Sequence, residues 1–104
     1  MQNIETLGET IRRLREAQAM PLRKLAAALD IDQSTLSKIE RNDRNANDDM
    51  IKRVAELFNV DYKELKIKLL SDKIAYDLID EALSDEVLRV AEEKVSYFKN
   101  RKTV

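Results

Sequence analysis

Residues Ile31 to Arg41 read IDQSTLSKIER, and five side chains within that run, Gln33, Ser34, Thr35, Ser37 and Lys38, carry hydrogen-bonding groups at close spacing. A carboxamide donates and accepts at once, a hydroxyl does either, and an ammonium group seeks acceptors. This is recognition chemistry. A nucleophilic role would need an activating base, and the chain has neither His nor Cys. Ser34 is followed three places on by Ser37, so the Ser-x-x-Lys spacing of penicillin-binding enzymes is not met. One glycine in the chain leaves no Gly-rich phosphate loop. No catalysis, cofactor or metal is expected, since the missing Cys and His also exclude disulfides and nearly every zinc site.

The residues that open this run are poor helix formers, so something else must hold them in place. The chain has one Gly, one Pro and abundant Ala, Leu, Glu, Lys and Arg, which points to an all-α protein. Thr6 with Glu9 forms a capping box for a first helix, with Ile4, Leu7, Ile11 and Leu14 at helical spacing and an end near Ala19. Pro21 suits the first position of a second helix striped by Leu22, Leu25, Ala26 and Leu29, after which Asp30 must turn the chain. Asp32 is placed to cap a third helix whose inward residues are Leu36 and Ile39. Asn42 ends that helix, and Asn47 caps a fourth bearing Ile51, Val54, Ala55 and Phe58. Asn59 closes the fourth, and Asp61 with Glu64 opens a fifth containing Leu65 and Leu69. Five short helices are thus complete by about Leu70.

The remaining stretch has a different character. Ile74, Ala75, Leu78, Ile79, Ala82 and Leu83 form one wide apolar face, and Ser84 can cap a last helix bearing Val87, Leu88, Ala91, Val95 and Phe98. We therefore divide the chain into residues 1–70 and a C-terminal helical extension, residues 71–104. With 104 residues one modest core is expected. No apolar run approaches a bilayer span and no signal pattern opens the chain, so a cytoplasmic protein without membrane contact is expected. The net charge is -1, and residues 1–44 carry eight Lys or Arg against seven Asp or Glu. Any anion-binding surface must therefore be a local patch.

A helix of about eight residues, a turn of about four and a second helix with a polar outer face is the helix-turn-helix arrangement, whose second helix enters the DNA major groove. MPLRKLAAALDIDQSTLSKIERN, Met20 to Asn42, resembles the helix-turn-helix of the Xre family, which includes the lambdoid repressor and Cro proteins. LGETIRRLREAQ before it and VAELFNVDYKEL after it resemble the family's flanking helices, so the likeness covers roughly residues 4 to 69. The resemblance implies a five-helix lambda-repressor-like domain that binds a double-stranded operator and regulates transcription. It also implies roles. Gln33, Ser34 and Thr35, with Ser37 and Lys38 one turn on, fall where the family touches base edges. Arg15 and Glu40 fall where it carries a structural ion pair. Gln suits adenine, the Thr methyl suits thymine, and Lys favours guanine acceptors.

Phosphate contacts should flank the bases, and Arg41, Arg44 and Arg23 hold suitable places. Arg12 and Arg13 read more simply as a solvated face. Two positions depart from the family pattern: Pro21 and Leu22 replace a Ser or Thr cap followed by Gln, and Asp30 replaces a turn Gly. The first removes a side-chain phosphate contact. One recognition helix covers only a few base pairs, so a homodimer through residues 71–104 reading a two-fold operator is expected. The tail and the PLR of the second helix also resemble small controllers found beside restriction–modification methyltransferases. The competing readings are a helical interaction module that binds no DNA, or an antitoxin-type regulator held by a partner protein.

Overall fold

The computed structural model describes residues 4–102, and these form six helices with no strand among them. They are α1 Leu7–Ala17, α2 Leu22–Ala28, α3 Gln33–Glu40, α4 Asp48–Phe58, α5 Tyr62–Leu78 and α6 Ser84–Lys102. The chain divides into two compact units, one running to Lys73 and the other from Ile74.

Local chemistry sets the boundaries of the first unit. The Thr6 hydroxyl accepts from the Glu9 amide while the Glu9 carboxylate accepts from the Thr6 amide, so both strands of the capping box form. Asp72 adds a long-range cap by accepting from the Leu7 amide at 2.9 Å. Four non-glycine residues take the left-handed conformation, Ala19, Asp30, Asn42 and Asn59, and each follows a helix end. For Asp30, Asn42 and Asn59 a short polar side chain tolerates that backbone; Ala19 has no such aid.

Four expectations need correction. Ile4 lies before α1 and is 95% exposed, so it takes no part in the buried stripe. Pro21 occupies the N-cap rather than the first helical position, and Asp32 sits at the N-cap of α3 without a side-chain cap bond. The fifth helix does not stop at Leu70. Ser71 bonds its hydroxyl back to the Lys68 carbonyl, Asp72 is engaged with α1, and the helix runs on to Leu78.

Ile11, Leu25, Leu36, Ile51 and Val54 are fully enclosed and form the centre of one core in the first unit. Leu7, Ala26, Leu29, Ile39, Met50, Ala55, Phe58, Leu65 and Leu69 surround them. The consequence for α3 is direct: it is pinned from within by Leu36 and Ile39, one turn apart. Among the described residues of the second unit no large apolar side chain is buried, and every residue from Asp85 to Arg101 is exposed. Among the described residues no helix is long and apolar enough to cross a membrane.

Candidate nucleic-acid interface

With Leu36, Ile39 and Glu40 buried, the helical period turns Ser34, Ser37, Lys38 and Arg41 toward the opposite side of α3, while Gln33, two turns before Glu40 on nearly the same line, is the first residue of the helix. Gln33, Ser34 and Lys38 are exposed and Ser37 is half-buried. Thr35 is set apart. It is half-buried on the flank of α3, where it lines a cleft of about 340 Å³ together with Asp30, Arg44, Asn45, Asn47 and Arg53. The five residues expected at base edges therefore divide into an outward strip of three, Ser34, Ser37 and Lys38, with Gln33 exposed at the N-terminal end of α3 and Thr35 at the margin of the strip.

The three expected phosphate ligands are all exposed. Arg41 is the C-cap of α3 and pairs at 3.6 Å with Asp43, both side chains more than half exposed. Such a pair is weak in water and is released at little cost. Arg44 is exposed in the following loop and lines the cleft, and Arg23 is exposed in the first turn of α2. Neither Arg23, Lys38 nor Arg44 makes an ion pair among the described residues. Arg12 and Arg13 are otherwise engaged: Arg12 bonds Glu16, and Arg13 makes two bonds to Glu5.

Four devices brace α3 and the helices of the first unit around it. Arg15 grips Glu40 through two parallel bonds, Nε to Oε2 at 2.8 Å and an Nη to Oε1 at 2.9 Å, and its third nitrogen donates to the Met20 carbonyl at 2.9 Å. The Glu40 side chain is 5% exposed and that of Arg15 is 14% exposed, so neither charge has water to fall back on. The Glu40 hydrogen bonds push the Arg15 guanidinium pKa up, which keeps the cation fixed at all ordinary pH. Sequence reading placed this pair through family resemblance, and the structure brings the two groups together.

The other three devices were not anticipated. Gly8 lets the backbone of α1 lie against the end of α3: a Cβ there would collide with the Ile39 carbonyl and sit 2.7 Å from the Asn42 Oδ1. Its signal was the lone glycine inside a helical pattern. Arg53 on α4 donates to the Leu29 carbonyl at 3.0 Å, tying α4 to the start of the turn between α2 and α3. Asp48, in the first turn of α4, accepts from the Tyr62 hydroxyl and from Lys66 Nζ at 2.9 Å, with Lys52 at 3.3 Å. The Lys66 bond, then the Tyr62 bond, holds the Asp48 carboxyl well below the usual carboxylate range. No sequence signal links Arg53 to Leu29, because they touch only after folding.

The fold agrees with known regulators. It is similar to the clp gene regulator ClgR from Corynebacterium glutamicum, with a TM-score of 0.54 and 22% identity, covering 90% of this chain and 94% of that one. It is also similar to a chain of the SinR protein/SinI protein complex, with a TM-score of 0.53 and 24% identity, covering 95% of this chain and 100% of that one. No curated protein sequence matches the chain significantly. A helix-turn-helix family model matches residues 11–65, which include α2, α3 and the buried Glu40. The match spans more than half of the sequence, and the chain belongs to the Xre, lambda-repressor-like helix-turn-helix family of DNA-binding transcription regulators.

Proposed function

We propose that the chain is a repressor or controller that reads a two-fold operator through the major groove, as a homodimer held by residues 71–104. The observation that carries this reading is the division of α3 into a buried side, Leu36, Ile39 and Glu40, and an outward polar strip, Ser34, Ser37 and Lys38, with Gln33 exposed at the start of the helix. A helix so anchored presents its strip to base edges without losing core contacts. Gln33 pairs with adenine, the serines adapt to either donor or acceptor, and Lys38 reaches guanine acceptors. Thr35, at the margin, contacts the last base or its neighbouring phosphate.

Arg23, Arg41 and Arg44 act as backbone clamps. Three such cations suffice to give salt-dependent affinity despite the net charge of -1, because the field that matters is local to the strip. Selection from a random duplex pool, followed by comparing the recovered sites, tests the reading. Two inverted half-sites spaced by about one helical turn, roughly 34 Å, are expected. Recovery of no enriched sequence, with no saturable gel shift at low salt, would contradict it.

A further inference from the structure

The second unit presents an unsolved physical problem. Helix α6 has 19 residues, and such a helix standing alone is marginal in water, because helices in proteins draw their stability from a packed apolar face. Its own apolar face is open: Val87, Leu88, Val95 and Phe98 are 41–53% exposed, and a cleft of about 440 Å³ lined by Leu83, Glu86, Val87, Val90, Ala91 and Lys94 lies along its flank. Ser84, Val87, Ala91, Val95 and Phe98 recur every three to four residues and form a charge-free stripe with Leu88 at its edge. That is the spacing of a helix that packs lengthwise on another helix.

The charge pattern states which helix. The first turn of α6 is acidic, with Asp85 and Glu86, and the last turns are basic, with Lys99 and Arg101. Between them Arg89 and Lys94 balance Glu92 and Glu93. A second copy laid parallel would set acid beside acid and base beside base. Laid antiparallel, it sets each acidic start against the other's basic end and opposes the two helix dipoles.

We propose that α6 pairs with α6 of a second copy in antiparallel sense, with Ala91 facing Ala91 at the two-fold axis. This rests on the homodimer reading above and specifies its interface. The stripe is symmetric about that residue: Val87 then meets Val95, and Ser84 meets Phe98, so a small side chain lies opposite the largest one. The small Ala91 lets the two backbones approach where they cross. Tyr97, tilted against Phe98 at 5.9 Å between ring centres, is carried to the Leu83 end of the neighbouring helix.

The absence of cysteine from the chain makes the test clean. Full-length Ala91→Cys, Ser84→Cys and Phe98→Cys are each oxidised mildly, alone and as a mixture of the last two, with circular dichroism confirming helicity and light scattering giving mass before oxidation. Expected is a disulfide dimer from Ala91→Cys alone, none from Ser84→Cys or Phe98→Cys alone, and a heterodimer from their mixture. Cross-linking of Ser84→Cys and Phe98→Cys each with itself would overturn the antiparallel arrangement while leaving a dimer. A dimer by light scattering that links at none of these positions would place the interface elsewhere and overturn the proposal. A monomer of native helicity would overturn both the proposal and the homodimer reading.

Discussion

Arg15 and Glu40 are joined by two parallel hydrogen bonds across 25 residues of sequence, and both are largely shielded from water. Glu40 is the last residue of α3, so the pair fixes the end of that helix to α1, while the third Arg15 nitrogen holds the Met20 carbonyl just before α2. Removing one member strands the other's charge in a dry site, which typically costs about 3–5 kcal/mol. Arg15→Met is expected to destabilise by that order, read from the urea midpoint. The double variant Arg15→Met, Glu40→Leu should recover much of the loss, because replacing both charges by apolar groups removes the stranded one. Additive losses would contradict this account of the pair.

Gly8 offers a separate test of what sets α3. Ala is the better helix former by roughly 1 kcal/mol, so propensity alone favours Gly8→Ala. The Cβ, however, meets the Ile39 carbonyl, and backbone cannot step aside as a flexible side chain can. Overpacking of this kind costs about 1–3 kcal/mol, and we expect it to win. The melting temperature should fall, and operator affinity should fall more than affinity for unrelated DNA, since the clash displaces the reading helix. A rise in stability would show that α1 and α3 separate freely.

Acid should weaken the fold through Asp48. Its folded pKa is depressed by Lys66 and Tyr62, so its contribution is complete above the unfolded carboxylate value of about 4 and is lost as pH falls from there toward the lower folded value. Glu5, lowered chiefly by its bonds from Arg13, acts in the same direction. Chemical denaturation of wild type and Asp48→Asn from pH 7 to pH 2 is the measurement. The stability gap between them should be constant at neutral pH and shrink below about pH 4. A gap independent of pH would remove Asp48 from the acid response.

Arg44 is exposed, unpaired among the described residues and beside the cleft that Thr35 lines. If it clamps a phosphate, Arg44→Ala should weaken binding to all sequences alike and reduce the slope of log affinity against log salt by about one. Arg12→Ala, on α1 and outside the set of expected phosphate ligands, should leave that slope unchanged. Fluorescence anisotropy across a salt series distinguishes the two.

Local rules made most of the first unit legible. The Thr6 and Glu9 box, the Asn47 cap and the left-handed Asn42 and Asn59 are decided by residues within one turn of each other, so short spacing reveals them. The length of α5 was not legible. Ser71 and Asp72 look like a helix start, but in the fold their side chains serve the Lys68 carbonyl and the Leu7 amide, and the second partner is 65 residues away in sequence. The base-edge residues were expected from their pattern and from resemblance; the flank position of Thr35 follows from its place one residue before inward Leu36, whereas the cleft it lines with Arg44 and Arg53 has no local signal. Gly8 and Arg53 position α3 from elsewhere in the chain, and their roles needed coordinates.

The central claim is that the exposed start and the outward strip of α3 read bases, and Gln33→Ala tests it most directly. Wild type and variant are titrated, at one fixed salt concentration, against the selected operator, every single-base variant of it, and an unrelated duplex. A bidentate Gln contact contributes roughly 1–3 kcal/mol of discrimination, so preference at one symmetric pair of operator positions should relax by about 5- to 150-fold. Affinity for the unrelated duplex should stay nearly unchanged. An equal loss on every sequence, with the base preferences intact, would contradict the claim.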